Sequence, residues 1–176
     1  MLLGILLALC CCISHAEEFQ YWDDLEENSK SEIIKSIDVD KNIIKLYLHK
    51  IKLSDNDMSK TILDTLSSST DGYKRMLYFY ILNEIVNTAD GAVAEMVGGY
   101  CVKYVSENTD YALEYFSKHQ NVSNNYVYMI AGELYLSDTS FTQYEQLLFD
   151  SAKSKRAKEY LPTFLKEIER ILAKIN

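Results

Sequence analysis

The chain is 176 residues long and carries 26 acidic against 18 basic side chains, a formal net charge of −8. Nucleic acid and anionic membrane surfaces both require a positive footprint, so this balance argues against either as a partner. A chain of this size hides roughly 70% of its unfolded surface on folding, enough for one domain to stand on its core without covalent staples.

Leu2 to Ile13 is an unbroken apolar run that ends in Ser14-His15-Ala16. It is too short to span a bilayer, and the small residues Ser14 and Ala16 bracket a cut before Glu17. Residues 1–16 are therefore expected to be a signal peptide. No Lys or Arg precedes the run, which points to a start placed late. Cys10, Cys11 and Cys12 raise a lipid anchor as an alternative, but Leu9 stands where lipoprotein signals carry Gly, Ala or Ser, and the Ser-His-Ala site fits better. A periplasmic destination is expected ahead of a secreted or lipid-anchored one. Cleavage leaves Cys101 as the sole thiol, and its apolar helical setting reads as a buried, inert one.

Residues 17–28 hold Glu17, Glu18, Asp23, Asp24, Glu26 and Glu27 around Tyr21 and Trp22, and read as an acidic, loosely ordered segment. From residue 29 to 176 a single all-helical domain is expected. Ser29 with Glu32 fits a capping box opening a first helix, and Asp40 caps a second through Ile44, Leu48 and Ile51, although its β-branched content would also suit a strand. Ser54 and Asp57 lead into a third, which closes at Ser67-Ser68-Ser69. Asp71 starts a fourth, apolar on most sides, and Asp90-Gly91 separates it from a fifth; these two are the expected heart of the core.

Later helices are expected over Thr109 to His119, Ser123 to Leu136, Ser140 to about Lys155, and Pro162 to Ile175, with Pro162 in the first turn of the last. Paired helices starting near Ser54, Gly91 and Ser123 hint at a helical repeat, so the fold class is all-α, either a compact multi-helix bundle or an irregular α-solenoid of antiparallel pairs. Gly98-Gly99 inside a helix calls for a close helix crossing, since each Gly there costs about 1 kcal/mol relative to Ala.

Motifs for chemistry fail one by one. Asp38-Val39-Asp40-Lys41-Asn42 begins like a calcium loop, but Ile43 stands at the obligatory Gly and His49 at the closing Glu; Asp55-Asn56-Asp57 fails in the same way. His49 and His119 have no metal-ligand spacing, so no metal site is expected. No nucleophile has a base nearby, and the glycines do not form a phosphate loop. Glu84, Glu95, Glu114 and Glu133 lie in or beside apolar stripes, the one arrangement from which paired-carboxylate glycan hydrolysis could arise. Asn121-Val122-Ser123 is a glycosylation sequon in an expected loop. The 14 tyrosines suit wet helix seams or a contact surface, with Tyr111, Tyr115, Tyr126, Tyr128, Tyr135 and Tyr144 able to line one face.

These readings lead to an exported, non-enzymatic protein-binding domain without a cofactor, catalytic residue or metal ligand. It would occlude or sequester another protein, a basic one by charge, as an immunity protein does to a toxin, and would be a monomer or homodimer. An envelope glycan hydrolase and a carrier of a small apolar ligand are the alternatives.

Overall fold

Apolar residues at helical spacing leave each segment with a stripe to hide, and helices hide stripes against one another. The computed structural model describes residues 18–68, 71–137 and 139–175, so the expected leader and its cut after Ala16 lie outside the described residues. Among the described residues the chain forms nine α-helices and no strand. They are α1 (Glu27–Ser36), α2 (Lys41–Tyr47), α3 (Asp57–Ser67), α4 (Gly72–Thr88), α5 (Gly91–Glu107), α6 (Thr109–Lys118), α7 (Gln120–Leu136), α8 (Phe141–Ser151) and α9 (Lys155–Ile175).

Caps mark several boundaries. The Asp40 carboxylate accepts from the Asn42 N–H at 2.7 Å and opens α2 as a helix, not a strand. At α3 the cap is Asn56, accepting from the Ser59 N–H at 2.9 Å, rather than Ser54 or Asp57. α1 begins at Glu27, which leaves Ser29 inside the helix instead of at its cap. Ser140 and Gln143 form the reciprocal capping box of α8.

α4 buries residues on nearly every side, from Met76 to Val86, and packs on α3 and α7. α5 lies against α7, α7 against α9, and α9 against α6, while α3 also touches α5. The last helix thus packs along two earlier ones instead of extending a row of pairs. A compact bundle is the result, and the solenoid alternative is not realised. The crossing of α5 and α7 explains Gly98: a Cβ there would lie 3.1 Å from the Met129 carbonyl oxygen and 3.2 Å from the Glu133 Cβ. Cys101, one turn on, is fully buried and free, and burial, with the Glu133 charge, pushes its thiol well above the ordinary range.

Three expectations are corrected by long-range contacts. From Glu18 onward the acidic opening is not loose: Tyr21 and Trp22 are each only 2% exposed, and residues 22–24 make a 3-10 turn against α4. The physical reason is aromatic burial, since Tyr21 packs among Phe79, Tyr111 and Tyr115 at centroid distances of 4.7–6.5 Å. Second, α9 begins seven residues before Pro162, at Lys155, with Pro162 inside the helix. The break that ends α8 is set by Asp110 of α6, whose carboxylate accepts the N–H groups of Lys153 and Ser154 at 2.8 and 3.0 Å. Ser154 then caps α9 by accepting from the Ala157 N–H at 3.1 Å. Pro162 and Lys158 are both exposed, so water can serve the Lys158 carbonyl that lacks its helical donor. Third, the sequon lies in the first turn of α7 and not in a loop, with Ser123 buried and its hydroxyl 2.9 Å from that of Tyr160.

Candidate binding cleft

α2 ends in a Schellman turn. The Lys50 N–H bonds to the Lys45 carbonyl at 2.8 Å and the His49 N–H to that of Leu46 at 2.9 Å, which forces His49 to φ 53°. Glycine is the usual tenant of such a position, because a Cβ is crowded there. The turn brings residues 49–53 opposite the C-terminal half of α4 and leaves a hollow between them. This is an open cleft of about 400 Å³. Tyr47, Ile51, Leu53, Tyr80, Ile81 and Ile85 supply its apolar lining, with Val93 of α5 at one end. His49 and Lys52 stand on the loop side; Glu84 and Asp90 stand on the other, beside the last residues of α4, Thr88 and Ala89. A smaller hollow of about 250 Å³ lies between α2 and α3.

Aromatic contacts tie the cleft to the core. Tyr47 meets Tyr80 edge-on at 6.0 Å and Trp22 edge-on at 5.9 Å. Burial raises the Tyr80 hydroxyl above its ordinary range, and the charges of Glu84 and Asp23 add to that rise. Asp90 is the N-cap of α5 by position, yet its side chain accepts no capping hydrogen bond.

The four glutamates singled out in the sequence lie on four helices. Glu84 of α4 lines the cleft, and Glu95 of α5 is exposed. Glu114 of α6 is buried 4.0 Å from Arg156, and Glu133 of α7 packs against Gly98 and Gly99. No hydrogen bond joins any two of them among the described residues. His49 reaches the cleft, whereas His119 stacks on Tyr115 at 3.9 Å. Among the described residues, no group of three or more His, Cys, Asp or Glu side chains is placed to hold a metal ion.

The tyrosines expected on one face are divided. Tyr111, Tyr115, Tyr126 and Tyr144 are core residues, and only Tyr128 and Tyr135, seven positions apart on α7, are exposed. Phe79 is the hub, stacked on Tyr104 at 5.0 Å and 6°. Sequence reasoning missed the cleft itself. Its one local trace is a run of Lys, His and apolar or aromatic residues from Ile43 to Lys52 that lacks the glycine a helix stop favours.

Two cations from distant helices, Lys118 of α6 and Arg156 of α9, meet the acidic opening. Glu18 pairs with Lys118 and with Arg156, the latter at 2.8 Å, and those hydrogen bonds lower its carboxyl to about 2. Arg75 lies over the Tyr111 ring at 4.4 Å and the Phe19 ring at 5.5 Å, which clamps the same segment.

Packing and site together define an all-α compact bundle with an open, mixed-charge cleft beside α4. Set against protein-family models, curated proteins and solved structures, the chain has no significant match to any of them. No described helix is long and apolar enough to cross a membrane.

Proposed function

We propose that the protein is an exported helical binding domain that acts by occluding or sequestering a partner protein, with an inhibitor or immunity protein against a toxin as the most concrete form. The observation that carries this reading is the open cleft of about 400 Å³, apolar within and charged at its rim, on an acidic bundle. Exposed apolar side chains elsewhere, Leu48, Tyr128, Tyr135, Leu136, Leu147 and Phe149, add surface suited to protein contact. A surplus of carboxylates speeds the approach of a basic partner and rejects an acidic one.

The test is capture from native extract of the source cells at several salt concentrations, followed by native mass spectrometry. A basic protein held in fixed stoichiometry, with its own activity suppressed while bound, is the expected result. Recovery of no stoichiometric protein, or turnover of a glycan substrate that disappears when Glu84 or Glu114 is replaced by Gln, would overturn the proposal.

A further inference from the structure

Resting on the sequestration reading, we infer that the cleft between the α2–α3 loop and α4 receives a basic and apolar segment of the partner, an apolar side chain entering among Tyr47, Tyr80 and Ile85 while a neighbouring Lys or Arg faces Glu84 and Asp90.

Glu84 and Asp90 line the cleft beside the C-terminal end of α4, whose unpaired carbonyls place partial negative charge, and beside the N-terminus of α5, whose free N–H groups place the opposite one. Glu84 is half-buried, and neither it nor Asp90 enters an ion pair among the described residues. The Asp90 carboxylate is also not spent on capping α5. Lys52 also lines the cleft with His49, so the rim is not purely acidic; with the two helix ends offsetting each other, two carboxylates against a single ammonium leave it net negative. Burial is the main cause of the raised Tyr80 hydroxyl, and the Glu84 carboxylate adds to it, so the charge of Glu84 reaches this lining residue. An acidic segment would meet repulsion here. A purely apolar ligand would leave Glu84 half-desolvated without compensation.

Trp22 is the only tryptophan, and its edge-on contact with Tyr47 makes its emission a reporter of the cleft. The experiment titrates the purified protein with two short peptides of equal length, one alternating leucine with lysine and the other leucine with glutamate. The lysine peptide should shift Trp22 emission and bind about 10-fold more tightly than the glutamate peptide, the effect of two exposed charge pairs. Glu84→Gln with Asp90→Asn should remove that preference, while Glu107→Gln with Glu169→Gln, which changes net charge equally on exposed positions of α5 and α9, should keep it. Lys52→Gln should tighten the lysine peptide. Equal affinity for the two peptides, or equal losses in the two double variants, overturns the inference. If the Glu84/Asp90 variant still captures the native partner undiminished, the cleft assignment fails while sequestration stands. If neither form captures a partner, the sequestration reading fails and the peptide titration alone decides what the cleft prefers.

Discussion

Tyr21 and Tyr111, 90 positions apart, are tied by two hydrogen bonds that run in opposite directions between their segments: the Tyr21 hydroxyl donates to the Tyr111 carbonyl at 3.1 Å, and the Tyr111 hydroxyl donates to the carbonyl of Gln20, next to Tyr21, at 3.1 Å. Their rings lie 4.7 Å apart. An acidic stretch with little helical pattern is thereby made part of the core.

Removing the hydroxyl and removing the ring should therefore differ in cost. Tyr21→Phe loses one hydrogen bond, about 1 kcal/mol, whereas Trp22→Ala opens a cavity under the segment and should cost about 3–5 kcal/mol. Urea unfolding followed by circular dichroism measures both. A Trp22→Ala protein as stable as the parent would show that the segment does not support the core.

Acid should weaken one tether of this segment while its buried aromatic anchors hold. The Glu18 carboxyl is held down to about 2 by hydrogen bonds from Lys118 and Arg156, against an ordinary value of 4.5. A depressed carboxylate gives its full contribution above pH 4.5 and loses it as pH falls towards about 2. Glu18 is exposed, so salt should weaken the effect. Stability to urea should decline slightly across that window with Trp22 emission unchanged in the folded protein, and Glu18→Gln should remove that part of the pH dependence.

At the alkaline end the sign is opposite. Burial raises the phenols of Tyr21, Tyr104, Tyr111, Tyr115, Tyr126 and Tyr144 above their ordinary value of 10.0. Their protonated forms favour the folded state, so the contribution is complete below pH 10.0 and declines above it as the unfolded chain ionises first. Tyrosinate absorbance from these six should emerge together with loss of helix, not before it. Independent ionisation with the helices intact would contradict their burial.

The two adjacent glycines of α5 should respond in opposite directions to the same substitution. Gly98→Ala drives a methyl to 3.1 Å from the Met129 carbonyl and 3.2 Å from a Cβ, neither able to move freely, and should destabilise by about 1–3 kcal/mol. Gly99→Ala meets only the Glu133 carboxyl, at 3.6 Å, and should stabilise by roughly 0.5–1 kcal/mol through helix propensity. Thermal unfolding of the pair is the measurement.

His49→Gly relieves a left-handed residue at φ 53° and should stabilise by about 0.5–1 kcal/mol. A less stable variant would indicate that the imidazole makes contacts worth more than the strain. The same protein, tested with the lysine peptide, separates the turn's backbone from any part the ring plays in the cleft.

Much of the helical layout is written locally. Apolar periodicity and the Asp40, Asp71 and Asp90-Gly91 punctuation place α2, α4 and α5 within a few residues, because a helix start depends on its own first turn. The apolar setting of Cys101 and the paired glycines beside it were legible for the same reason: a helix interior tolerates such residues only when it is buried or closely crossed. What local pattern could not set was decided by partners far along the chain. Asp110 ends α8 from 43 positions away, so α9 begins at Lys155 despite a proline that suits a helix start. Tyr111 and Tyr115 draw Tyr21 inward, Arg156 takes Glu18, and a left-handed His49 folds the α2–α3 loop over α4 to make the cleft. Composition and periodicity determine that this chain becomes helices with faces to hide. Which faces meet, which tyrosines stay wet and where a hollow remains are set only in three dimensions, because each depends on side chains that approach one another across the whole length of the chain.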